Sequence, residues 1–139
     1  MIALDTNVLV RYIVQDDPHQ ARAATQLIEG RMSDASPGFV SHVVLVELVW
    51  VLRGYGYSRS VIADVLTRLL SSIELRIERV ELAWSAMRAY RRGPADFADY
   101  LIGEQARSAG CSVVKTFDRK AARSTIHELI PTEPGESDE

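Results

Sequence analysis

Short apolar stretches alternate with longer amphipathic ones along the whole chain, and most of them end in a polar or turn-forming residue. Periodicity places strands at about 2–5, 39–41, 73–77, 112–115 and 126–130. Helices fall between them: 8–15 with Thr6-Asn7 as its cap, an Ala-rich one ending at Gly30, 42–53, 59–71 capped by Ser58, 80–92, 96–109, and a short one from Asp118. Strands and helices interleaved at these lengths demand a mostly parallel sheet covered on both faces. The expected fold is therefore α/β, a single-domain α/β/α sandwich over 1–131. The last residues, 132–139 (TEPGESDE), read as a disordered acidic tail.

In a sheet of this kind the ligand site lies beyond the carboxyl ends of the strands. Asp5 and Asp118 stand where strands give way to helices. Two more acids stand out. Glu47 lies inside VVLVELVWVL, a stretch apolar all round, which implies burial. A buried carboxylate needs an arginine partner, a proton or a metal. Asp99 follows Asp96 by three residues, and that spacing also suits a capping box. Asp5 and Asp118 likewise suit helix caps, so each acid alone has a structural reading beside the functional one.

Taken together, four acids from four segments would converge on one sheet edge. Like charges ~4 Å apart repel by about 4 kcal/mol at an effective dielectric of 20. A divalent cation would relieve that repulsion, and oxygen ligands without histidine or cysteine favour Mg2+, with Mn2+ possible. The three histidines (His19, His42, His127) form no ligand set and read as solvent-facing or as local hydrogen-bond donors. Neither a phosphate-cradling glycine loop nor a nucleophilic triad is visible.

Composition narrows the remaining classes. The chain has 139 residues, 47% of them hydrophobic, and one cysteine, so no internal disulfide can form. No apolar run reaches the ~18 residues of a membrane span, and the N-terminus does not read as a signal peptide. A cytoplasmic protein without a membrane role is expected. The formal net charge of −3 lacks the basic footprint of a nucleic-acid binder. An anionic substrate would need local cations, for which Arg11, Lys115, Arg119 and Lys120 are the candidates.

The ordered set LDTNVL at Leu4–Leu9, the acid in Val46-Glu47-Leu48, DFADYLI from Asp96 to Ile102 and Thr116-Phe117-Asp118 resembles PIN domains over nearly the whole chain. The similarity is nearest to VapC-type toxins of toxin–antitoxin pairs. That resemblance implies an α/β/α fold and a metal-dependent endoribonuclease. It implies Asp5 and Asp99 as principal metal ligands and Glu47 and Asp118 as the third and fourth acids. Asp96 would stand beside the site, and Thr6 and Asn7 would steady the first aspartate. A homodimer and a small cognate antitoxin are further implications, with the apolar faces of the first two helices and of 58–71 as candidate contacts, unless those faces are core.

Two rival readings remain from other classes. An aspartyl-phosphate phosphotransfer domain wants a second aspartate two positions after the first, where this chain has Asn7. A non-catalytic interaction module on the same fold is the other.

Overall fold

The structure is a computed structural model and describes residues 1–133. It is an α/β chain in which every strand pair is parallel. Its contacts divide it into two compact units, Met1–Trp84 and the residues from Ser85 on.

The first unit holds β1 (Ile2–Ala3), α1 (Thr6–Val14), α2 (Pro18–Thr25), a π-helical segment (Gln26–Arg31), β2 (Gly38–Val40), α3 (His42–Gly54), α4 (Arg59–Ser71) and β3 (Leu75–Ile77). The strands pair in the order β1-β2-β3, with Ala3 beside Phe39 and Phe39 beside Arg76. Helices α1 and α3 pack on each other, and Leu9, Leu45, Leu48, Leu52, Ile62 and Leu66 are fully enclosed. Removing one such leucine would cost about 2–5 kcal/mol through lost burial and the cavity left behind. The same burial answers the question of the apolar helix faces. Leu9, Val10, Ala21 and Ala24 of α1 and α2, and Ile62, Ala63, Leu66, Leu69 and Leu70 of α4, are core.

The second unit contains α6 (Phe97–Ser108), β4 (Val114–Thr116), α7 (Arg119–Ser124) and β5 (His127–Leu129), and the division between units falls within α5 (Val80–Arg92). Strands β4 and β5 pair with Lys115 beside Glu128. Tyr90 and Phe97 meet edge to face, 6.0 Å between ring centres, in the core of this unit. Helix α6 ends in a Schellman motif: Gly110 N–H donates to the Arg107 carbonyl and Cys111 N–H to the Ala106 carbonyl, each at 2.9 Å. Gly110 sits at φ +92, a conformation that side-chain-bearing residues rarely adopt, which is why a glycine ends this helix.

Several local expectations are corrected. The first strand is shorter than expected, and Ile2 and Ala3 are exposed rather than buried. Helix α1 begins at Thr6, so the cap is Asp5 and not the Thr6-Asn7 pair. The Ala-rich helix gives way at Gln26 to a π-helical turn that runs past Gly30 to Arg31. The 73–77 and 112–115 strands each start two residues later than periodicity suggests, at Leu75 and Val114. Of the tail, 134–139 lies outside the described residues. Among the described residues no helix is long and apolar enough to cross a membrane.

Candidate functional site

Strand β1 ends at Ala3, and Asp5 adopts extended backbone angles that let its side chain fold back over the first turn of α1. Asp5 Oδ1 accepts the Thr6 N–H at 2.8 Å, a capping interaction at the positive end of the helix. The next residue turns inward: Thr6 is buried, and its hydroxyl donates to Glu47 Oε1 at 2.6 Å. One threonine therefore contacts both acids of the first unit, through its backbone and its side chain respectively.

Glu47 stands differently from the sequence expectation. It is exposed, as are Val43 and Trp50, at 68% and 53%, one turn to either side of it on α3. The helix is buried on Val44, Leu45, Leu48, Val49 and Leu52 only. An all-apolar run did not mean burial all round. Exposed and bonded to Thr6, Glu47 needs no buried arginine partner. Ser41 caps this helix through Val44 N–H, and Glu78 Oε1 accepts the His42 N–H at 2.8 Å.

In the second unit Asp118 follows β4 as Asp5 follows β1. Its Oδ1 accepts two backbone N–H groups, from Lys120 at 2.8 Å and Ala121 at 3.1 Å, so it caps α7. Asp99 is half-buried in the first turn of α6. Burial pushes its carboxyl pKa up, the negative charge of Asp118 pushes it further, and His127 opposes both. Asp96 is the N-cap residue of α6, yet its side chain makes no capping bond, so the capping box does not form. The Asp99 N–H donates instead to the Asp96 carbonyl at 3.0 Å.

The acids thus fall into two communicating pairs, Asp5 with Glu47 in the first unit and Asp99 with Asp118 in the second. Among the described residues no three His, Cys, Asp or Glu side chains form a metal-holding group. In kind, the donors suit a hard divalent cation. All are carboxylate oxygens, and Asp99 carries a raised pKa next to a like charge, the condition a bound cation relieves.

The expected cations are mostly engaged. Arg11 bridges Asp16 at 3.0 Å and Gln20 at 2.7 Å, and Lys115 pairs with Glu128 across β4 and β5. Arg119 and Lys120 are exposed in the first turn of α7, and Asn7 is exposed beside the Asp5 cap. Of the histidines, His19 is exposed. His42 and His127 are buried, His42 against the Arg79 carbonyl and His127 against the Thr125 hydroxyl. Sequence reasoning missed both the Thr6 bridge and the electrostatic influence of His127 on Asp99. A threonine directly after a strand-ending aspartate was the only signal for the first, and the second had none.

The chain matches the PIN domain family over residues 2–125, a span that includes all four acids and runs through both units. It is also similar to a VapC ribonuclease of Aquifex aeolicus (strain VF5), 25% identical over 134 residues that cover 96% of this chain and 98% of that protein. A family match of that extent is decisive, and this chain belongs to the PIN domain family.

Proposed function

We propose that this chain is a metal-dependent endoribonuclease, the toxin of a toxin–antitoxin pair, with Asp5, Glu47, Asp99 and Asp118 as the acids that serve the metal. The observation that carries the reading is the state of those acids. Asp5 and Asp118 each commit Oδ1 to a helix cap and Glu47 commits Oε1 to Thr6. Each keeps a second oxygen for other work. Structural capping alone explains neither the Thr6–Glu47 bond nor the raised pKa of Asp99.

Asp5, Asp99, Glu47 and Asp118 would hold Mg2+ or Mn2+. When bound, the ion would supply positive charge to a phosphate oxygen and lower the pKa of a water. The protein's own part is positioning. Thr6 fixes the Glu47 carboxylate while leaving Oε2 to orient a water. Asp118 Oδ2 is the second candidate to receive its proton. Arg11, Lys115, Arg119 and Lys120 supply cations for flanking phosphates, the exposed ion pairs of Arg11 and Lys115 being weak in water. Asp96 and Asn7 stand beside the acids as supporting groups.

The partners follow from the same reading: single-stranded or looped RNA, a cognate antitoxin, a second copy of the chain in a homodimer, and a cytoplasmic setting. PIN membership sets the phosphotransfer reading aside. A non-catalytic module remains the contrary outcome of the test. Labelled RNA should be cut with Mg2+ or Mn2+, left whole in EDTA, and left whole by Asp5→Asn or Asp99→Asn proteins that melt as folded chains. Cleavage by those variants with unchanged metal dependence would end the reading, and calorimetry showing no metal binding would favour the module.

A further inference from the structure

A cleft of about 310 Å³ lies in the second unit, between α5, α6 and the turn that leads into β5. Its walls carry Arg88 and Arg92 of α5 and Arg107 of α6. Arg88 and Arg92 are four residues apart, so both project from one side of their helix, and both are exposed. Arg107 pairs with Glu104 at 3.1 Å, and Glu104 is the one carboxylate among the described residues that line the cleft. Three guanidinium groups against one carboxylate make a positive site on a chain whose formal net charge is −3.

The floor needs no ligand. Tyr100 donates to Ser124 Oγ at 2.9 Å and accepts the Ala95 N–H, and Ser124 donates to the Lys120 carbonyl. What the cleft offers to a guest is therefore guanidinium N–H, which matches the oxygens of a phosphate in two-pronged fashion. Position matters as much as charge. Gly103 lines the cleft, and Asp99 precedes it by four residues on the same face of α6. The cleft thus begins about 6 Å along the helix axis from Asp99, within reach of a neighbouring nucleotide on one strand.

We propose that this arginine cleft is a phosphate-binding subsite for the backbone of single-stranded RNA next to the bond that is cut. The identity of the ligand rests on the ribonuclease reading above. None of the cations singled out from the sequence belongs to this cleft.

The test is binding of a labelled single-stranded RNA to the full chain in EDTA, by fluorescence anisotropy at several salt concentrations. Wild type is compared with R88Q/R92Q and R88K/R92K. Each phosphate contact of a single strand contributes about 0.7 to the slope of log affinity against log salt. The R88Q/R92Q protein should bind about tenfold more weakly with a slope shallower by about 1.4, and R88K/R92K should recover the slope. Equal affinity and slope in all three proteins would overturn the proposal, including the case where the cleft serves an acidic protein segment. The assay separates this proposal from the nuclease reading. A chain that never cuts RNA with Mg2+ but loses slope in R88Q/R92Q keeps the cleft and loses the nuclease. A chain that cuts RNA with an unchanged slope does the reverse.

Discussion

The Thr6 hydroxyl donates to Glu47 Oε1 at 2.6 Å, while the Thr6 backbone N–H holds Asp5 Oδ1 at 2.8 Å. Thr6→Val keeps the shape and the backbone bond but removes the hydroxyl. Losing a bond to a charged acceptor costs about 1–2 kcal/mol of stability. If Thr6 positions Glu47, RNA cleavage should fall by about tenfold to a hundredfold, with Thr6→Ser near wild type. A Thr6→Val protein that cuts at the wild-type rate would reduce the bond to a structural one.

Asp5 and Asp118 do two jobs, and two substitutions separate them. Asparagine caps helices nearly as well as aspartate, whereas alanine costs about 1 kcal/mol. For a chain of this size that is a drop in Tm of about 4 °C. Asp5→Asn should therefore melt near wild type and Asp118→Asn at or above it, since its charge no longer faces Asp99; both should lose cleavage, while the alanine variants lose the cap as well. Thermal melts beside a gel assay decide it; an active asparagine variant would mean that capping is the whole role.

Asp99 gives a pH dependence of defined sign. Burial first, then the Asp118 charge, raises its pKa above the ordinary 3.8. A raised carboxyl in the folded state favours the fold fully below the ordinary value, and that contribution is lost as pH rises through the folded pKa. Asp99→Asn should thus raise the metal-free Tm at neutral pH, with the gain vanishing at strongly acidic pH. A gain that is absent at pH 7, or the same at every pH, would contradict this electrostatic picture of the site.

Tyr12 tests the hydrogen bonding around the first helix. Its hydroxyl donates to Glu29 Oε2 at 2.6 Å, which pushes its pKa up to about 12, with burial adding to the effect. In a titration that follows the Tyr12 ring alone by NMR, the phenol should ionise near 12, and Glu29→Gln should bring it back toward 10. A wild-type Tyr12 that already ionises near 10 would show that the bond does not persist in solution.

Much of the fold is written in local signals. Ser58 and Gly110 bound their helices because capping chemistry acts within a few residues. The π-helical turn at Gln26–Arg31 was not legible, since its residues fit an ordinary helix equally well. Glu47 shows a deeper limit. Val43 and Trp50 have the same side chains whether they face core or solvent, and only packing by distant segments decides which. The identities of the acids were readable one by one. The Thr6–Glu47 bond and the coupling of Asp99 to Asp118 arise from tertiary folding, which periodicity does not encode.

The most direct measurement of the proposed chemistry is Mn2+ binding, followed by electron paramagnetic resonance, to wild type, Asp5→Asn and Asp99→Asn. The proposed metal role requires that each substitution alone weakens Mn2+ binding by about tenfold or more while the protein stays folded. Wild-type Mn2+ affinity in either variant would contradict it.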